Sequence, residues 1–164
     1  MSKTQADLKE AFAGESQANR KYLAFARQAD REGLKAVARL FRAVAEAETV
    51  HALAHLHALK AVGTTEGNLK AAIAGEVHEY SDMYPSMIAR AHEEGNKAAE
   101  RSFAFANVVE EMHAGLYRQA LEQMAGMELV DYQVCSVCGC TVAGEAPEQC
   151  PVCQAHKKAF FLVQ

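Results

Sequence analysis

Glu48-Thr49-Val50-His51 and Glu110-Glu111-Met112-His113 are the two stretches that decide how this 164-residue chain folds. Residues three apart on a helix share a face, so each stretch presents a carboxylate and an imidazole side by side. Further matches surround them. Ala13-Gly14-Glu15 returns as Ala74-Gly75-Glu76 at an offset of 61, and Arg31-Glu32-Gly33 returns as Glu93-Glu94-Gly95 at an offset of 62, the same offset as the Glu-x-x-His pair. The chain contains an internal duplication, and two related helical hairpins imply a pseudo-twofold four-helix bundle.

The apolar pattern agrees. Leu8, Ala11, Phe12, Ala18, Tyr22 and Ala26 recur at helical spacing and predict helix A from Asp7 to about Ala29. Helix B carries Val37, Leu40, Phe41, Val44, Ala52 and Leu56 and runs to about Ala61. Gly63, Thr64, Thr65 and Gly67 supply breaking and capping chemistry. Helix C is expected from Glu66 to Glu93, with Leu69, Ile73, Tyr80, Met83, Tyr84 and Met87 in phase and Pro85 kinking it from inside. Helix D places Phe103, Ala106, Ala114, Tyr117 and Leu121 on one face and ends near Ala125. Residues 1–127 thus form a helical domain, with the duplicated hairpins at 7–61 and 66–125, and residues 128–164 a small tail with short strand-like pieces.

Composition separates the same two regions. Of 32 alanines, 28 precede residue 135, while all five cysteines follow Val134. Half of the residues are apolar and 23% are charged, which excludes a disordered acidic or basic chain. A net charge of −4 gives no electrostatic case for nucleic acid or an anionic membrane as partner. The first twelve residues lack a signal-peptide core, and no stretch reaches the roughly 20 apolar residues that span a bilayer. The expectation is a cytoplasmic protein, and in that reducing compartment paired cysteines are metal ligands before they are disulfides.

Four carboxylates occupy positions where a core should be. Glu15 is in phase with Leu8, Phe12 and Tyr22; Glu48 with Phe41, Val44 and Ala52; Glu76 with Leu69, Ile73 and Met83; Glu110 with Phe103, Ala106 and Tyr117. A buried, unpaired carboxylate costs several kcal/mol or takes up a proton, and four converging in one bundle require cations. Two lone glutamates plus two Glu-x-x-His motifs form the inward-facing set of ferritin-like di-iron and di-manganese carboxylate bundles. Glu15, Glu48, His51, Glu76, Glu110 and His113 are therefore the expected dimetal ligands. Glu79, three residues beyond Glu76, offers one metal a further oxygen, and its counterpart in the first repeat is Ala18. His55 lies one turn beyond His51 without a repeat partner and is expected at the rim. His57, His78, His92, Glu46 and Glu111 carry no such signal.

The tail reads Cys135-x-x-Cys138 and Cys150-x-x-Cys153, spaced as C-x2-C-x11-C-x2-C. Two such knuckles hold four thiolates tetrahedrally around zinc or a single iron. Beside a redox-active metal pair that needs an electron source, an iron centre is favoured. Cys140 is the odd thiol, either a small spectator or a redox-sensitive substitute ligand.

Taken together, Ala13-Gly14-Glu15-Ser16, Tyr22, both Glu-x-x-His motifs, Gly75-Glu76-Val77-His78-Glu79-Tyr80 leading to Met83-Tyr84-Pro85, and the two cysteine knuckles make the chain resemble the rubrerythrin family over essentially its whole length. The resemblance implies an all-α ferritin-like four-helix bundle with a small C-terminal rubredoxin-like domain. It implies di-iron ligation by Glu15, Glu48, His51, Glu76, Glu79, Glu110 and His113, and an iron held by Cys135, Cys138, Cys150 and Cys153, with zinc or manganese as substitutes. It also implies reduction of hydrogen peroxide to water, in oxidative-stress defence, with electrons arriving from a rubredoxin or an NAD(P)H-dependent reductase through the four-cysteine iron. In the family one iron moves between a histidine and a glutamate on change of redox state, here matched by His51 and Glu79. Tyr22 and Tyr84 match tyrosines that flank the site, and with Glu79 they are the expected catalytic residues.

Two departures accompany the resemblance. Cys140 stands where rubredoxin-type knuckles commonly carry an aromatic residue. The link between the hairpins is also short: helices of about 28 residues are ~42 Å long, whereas Val62 to Gly67 spans at most ~21 Å. The expectation is a domain-swapped homodimer in which the first hairpin of one chain pairs with the second of another. Iron storage on a ferritin-like scaffold is the alternative function, and manganese catalase chemistry or a zinc-ribbon binding module are more distant ones. Glu79 and the four-cysteine tail argue against storage, catalase chemistry needs no four-cysteine electron donor, and a zinc-ribbon module leaves the buried carboxylates unexplained.

Overall fold

In a computed structural model, residues Ser2–Val163 are described, and the chain folds as two compact units, one ending at Gly63 and the other beginning at Thr64. The first is a hairpin of α1 (Lys3–Arg31) and α2 (Lys35–Ala58). A capping box starts α1: Ser2 Oγ accepts the Gln5 N–H at 3.2 Å, and Gln5 Oε1 accepts the Ser2 N–H at 3.0 Å. The turn closes on Gly33, whose φ of 78° only glycine adopts without strain. Around it Gly33 N–H donates to the Asp30 carbonyl and Leu34 N–H to that of Ala29, the paired bonds of a Schellman motif.

The seam of this hairpin is made of small residues. Ala38, Ala45 and Ala52 on α2 are buried seven residues apart, as are Asn19 and Ala26 on α1, the two-turn repeat of a left-handed helix pair. Alanine lets the backbones approach closely but buries little area. The larger apolar residues lie off the seam: Leu40 is 62% exposed, Leu53 58% and Phe25 48%. Asn19 is the polar exception. Its Nδ2 donates to the Ala45 carbonyl at 2.7 Å and to Thr49 Oγ1 at 2.8 Å, tying α1 to α2 one turn from both Glu15 and Glu48.

The second unit comprises α3 (Thr65–His78), a π-helical turn (Glu79–Met83), α4 (Tyr84–Glu93), α5 (Lys97–Gln123) and a three-stranded antiparallel sheet of β1 (Tyr132–Cys135), β2 (Thr141–Ala143) and β3 (Phe160–Val163) in the order β2-β1-β3. Thr64 is the cap that starts α3, its Oγ1 accepting the Gly67 N–H. The single kinked helix expected over 66–93 is corrected here. Pro85 has no N–H and its ring crowds the preceding turn, so the ladder widens by one residue before it, and Tyr84 N–H bonds to the Glu79 carbonyl five residues back. The second hairpin turn repeats the first: Gly95, at φ 68°, donates to His92 and Asn96 to Ala91. The duplication seen in the residues thus recurs in the backbone hydrogen bonds. The sheet stands against α5, where Val109 shares a buried cluster with Cys135, Cys140 and Cys150. No helix among the described residues is long and apolar enough to cross a membrane.

Replacing Asn19 by Ala removes both cross-helix bonds and leaves Thr49 and the Ala45 carbonyl with one partner fewer. The variant is expected to lose about 1–3 kcal/mol of stability in urea unfolding, and a loss below about 0.5 kcal/mol would count against the tie.

Candidate metal centres

Three groups of metal-competent side chains form, each with its ligand atoms within 4.8 Å of one another: Glu15, Glu48 and His51; Glu76, Glu110 and His113; and Cys135, Cys138, Cys150 and Cys153. The first two are related by the internal repeat. In the first, α1 places Glu15 opposite Glu48 and His51 of α2, with His51 Nδ1 at 2.9 Å from Glu48 Oε2 and 3.9 Å from Glu15 Oε1. In the second, α3 places Glu76 opposite Glu110 and His113 of α5, with His113 Nδ1 at 2.7 Å from Glu110 Oε2. Each unit of the fold thus holds one glutamate and one Glu-x-x-His motif.

The two groups differ in their surroundings. The His51 side chain is 56% exposed and that of His113 25%. His113 Nε2 meets Thr141 Oγ1 of β2 at 3.0 Å, a contact without counterpart at His51 among the described residues. An apolar cavity of about 410 Å³ adjoins His113 and Thr141, lined also by Leu69, Leu116, Tyr117 and Tyr132. Burial raises the affinity of the Glu76 carboxyl for its proton, and the charge of Glu110 adds to this while His113 opposes it. Carboxylates crowded in this way hold a cation or a proton, which is the donor chemistry of a hard-metal site.

Glu79 opens the π turn, half-buried, and its charge reaches both Glu76 and the Tyr84 hydroxyl. Tyr84 is held above its usual pKa by burial first and then by the charges of Glu79, Glu110 and Glu76, so its hydroxyl keeps its proton beside the carboxylates. Tyr22 stacks instead with Phe25 and Phe41, ring centroids 6.2 Å away in both cases. Outside the three groups, His78 and His92 are exposed and pair with Asp82 and Glu100, respectively. His55 is half-buried, and Glu46, His57 and Glu111 are exposed.

In the tail, Cys135 and Cys153 sulfurs lie 3.6 Å apart and those of Cys138 and Cys150 3.5 Å apart. All the cysteines are free, and a tetrahedron with metal–sulfur bonds of ~2.3 Å has sulfur–sulfur edges of ~3.8 Å. The two knuckles are built alike. Gly139 N–H donates to the Cys135 carbonyl as Gln154 N–H does to that of Cys150; Cys135 N–H donates to Cys140 as Cys150 N–H does to Ala155. Gly139 and Gln154 both have positive φ, 84° and 62°. Burial opposes ionisation of Cys150 most strongly, yet the N–H groups of Cys153 and Val152 and the thiols of Cys138 and Cys153 outweigh it and bring the pKa to about 7. Burial raises Cys138 and Cys153. The Cys150 thiolate thus forms readily, whereas those of Cys138 and Cys153 await a cation.

The knuckle symmetry resolves Cys140. It occupies the position of Ala155, is fully buried, and is pushed up to about 12 by burial and then by the neighbouring charge of Cys150. It packs as a small apolar residue, and the four-sulfur group forms without it. Two features escaped the sequence reading. Pro85 signals an irregularity without fixing its form as a π turn; the approach of Thr141 to His113 joins residues 28 apart, across an element boundary, and has no sequence signal.

Comparisons with known proteins agree with this layout. The family described as Rubrerythrin matches residues 7–121, and the rubrerythrin rubredoxin-like domain matches residues 133–161. The chain is 36% identical to nigerythrin of Nitratidesulfovibrio vulgaris over 96% of its own length and 85% of the relative's. It is 34% identical to rubrerythrin-2 of Clostridium acetobutylicum, covering 93% of this chain and 92% of that one. Among solved structures, fully reduced, all-ferrous nigerythrin aligns with a TM-score of 0.61 at 33% identity, over 99% of this chain and 88% of the other.

Replacing Cys140 by Ala is expected to leave the metal content and absorption spectrum of the four-cysteine site unchanged, whereas Cys150→Ser should empty or distort it. Metal analysis with the visible spectrum checks both, and metal loss in Cys140→Ala would return that thiol to the ligand set.

Proposed function

The chain belongs to the rubrerythrin family, and on that premise we propose that it reduces hydrogen peroxide to water at a di-iron site, with electrons relayed through an iron in the four-cysteine tail. The observation that carries this reading is the pair of matched Glu/His groups together with four free sulfurs at metal-binding separations. Glu15, Glu48, His51, Glu76, Glu79, Glu110 and His113 would hold the iron pair, and Cys135, Cys138, Cys150 and Cys153 the single iron. When bound, the iron pair supplies the two electrons that, with two protons, convert one peroxide into two waters.

The chain's own residues handle protons and placement. Tyr84, raised by burial and by the charge of Glu79, retains its hydroxyl proton and can donate toward a departing oxygen. Glu79 sits where a π turn replaces regular helix, a place where the backbone widens without breaking. His51, on the exposed side of α2, and Glu79 are the pair between which one iron would move, and Tyr22 would flank the first carboxylate group.

The two carboxylate groups belong to different units joined by the short stretch after Leu59. Leu40, Leu53 and Phe25 are open apolar surface, consistent with a hairpin completed by a second copy of the chain. The proposed state is a domain-swapped homodimer in a reducing, cytoplasmic setting, fed by a rubredoxin or an NAD(P)H-dependent reductase.

Anaerobically purified protein is expected to hold about three iron ions per chain, and peroxide added to its reduced form should reoxidise the four-cysteine iron stoichiometrically. Zinc in the tail with no reoxidation would overturn the relay, and a monomer in sedimentation with intact helices would overturn the swap. Glu79→Ala should slow peroxide turnover at least about 10-fold while circular dichroism stays unchanged; unchanged turnover would remove Glu79 from the mechanism.

A further inference from the structure

We infer that Thr141 is a positioning residue through which the four-cysteine tail fixes the tautomer of His113 and aims its Nδ1 at the metal position beside Glu110. The inference deepens the proposed function by naming what holds one ligand in place, and it rests on that reading only for the assignment of His113 as a ligand. Its basis is the proton count of one hydroxyl. Thr141 Oγ1 lies 3.1 Å from the Gly139 carbonyl and 3.0 Å from His113 Nε2. A threonine hydroxyl has one proton, and a carbonyl oxygen can only accept. Both contacts are satisfied when the hydroxyl donates to Gly139 and accepts a hydrogen bond from His113 Nε2–H.

With the proton on Nε2, the neutral ring has its lone pair on Nδ1, 2.7 Å from Glu110 Oε2. A lone pair facing a carboxylate oxygen at that distance repels it, and a cation bound by both turns the repulsion into ligation. A metal-binding histidine generally donates its other N–H to such an oxygen, which sets ring orientation and basicity. Here the partner comes from the tail: Thr141 begins β2, Gly139 follows the ligand Cys138, and the carbonyl of Cys140 accepts the N–H of Cys135. His113 and the first knuckle are therefore joined by one hydroxyl.

The first carboxylate group has no equivalent. Among the described residues His51 is engaged only through Nδ1, and its ring is more than half exposed. Thr141 thus separates a held histidine from a free one and makes one half of the metal set depend on the folded tail.

The test uses full-length protein loaded with zinc, which is diamagnetic, and reads imidazole tautomers by long-range proton–nitrogen correlation. Wild-type His113 is expected to show a slowly exchanging Nε2–H with Nδ1 bound to zinc. Thr141→Val should lose that slow exchange and weaken zinc binding at the carboxylate site about 10–100-fold against a chelator, with zinc in the four-cysteine site and the β-sheet resonances unchanged. Thr141→Ser should restore both. An Nδ1–H tautomer in the wild type, which needs no variant to detect, would overturn the inference, as would an unaltered Nε2–H signal and zinc affinity in Thr141→Val. The readout contains no peroxide chemistry, so absence of peroxidase activity with these signals intact would overturn the functional reading alone.

Discussion

Negative charge placed on faces that must be covered is the constraint on which this molecule depends. Glu15, Glu48, Glu76 and Glu110 lie half-buried on helix faces that are otherwise largely apolar. Without cations, such a set resists its own packing, because each carboxylate loses hydration and gains a like-charged neighbour. The raised proton affinity of Glu76 shows both effects at once, burial first and the charge of Glu110 next. A cation bound by these carboxylates would relieve that cost, so metal binding would add to the stability of the helical region.

The seam chemistry fits that coupling. Between α1 and α2 the buried residues are alanines and Asn19, so the hairpin draws little from apolar burial and relies on close approach and hydrogen bonds. The larger side chains, Leu40 and Leu53 among them, lie off this seam and can contribute only when another surface covers them. A hairpin built this way keeps its carboxylates at a defined separation while drawing little hydrophobic stabilisation from its own seam.

Much of this was legible in the residues. The Glu-x-x-His repeat located both carboxylate groups, since three-residue spacing on a helix is a local property that needs no tertiary information. Gly33 and Gly95 marked matching turns, which the structure closes with the same pair of hydrogen bonds. The spacing of Cys135, Cys138, Cys150 and Cys153 located the four-sulfur group. Pro85 was legible only in part: a missing N–H requires some irregularity, but whether the helix kinks or widens depends on what its neighbours accept, and here the ladder widens over Glu79–Met83. The surroundings of Cys140 were not legible, because its equivalence to Ala155 lies in backbone bonding and not in side-chain identity. Thr141 was the least visible, a common strand residue whose significance is a contact made across 28 positions.

The duplication makes the departures from symmetry informative. A repeat that needed only two equal metal sites would keep Ala18 and Glu79 alike and would treat His51 and His113 alike. Instead, the second repeat adds a carboxylate, a π turn and a hydrogen bond from the tail, while the first leaves its histidine exposed. In the proposed di-iron site, a held histidine and an exposed one would give the ligand set an anchored side and an adjustable side. An adjustable side suits a metal whose preferred ligands change with oxidation state; an anchored side keeps the second metal in register while that happens. On the proposed reading the anchor is attached to the four-sulfur knuckle through Thr141, so the region that would receive and pass electrons would also hold the ligand that must not move.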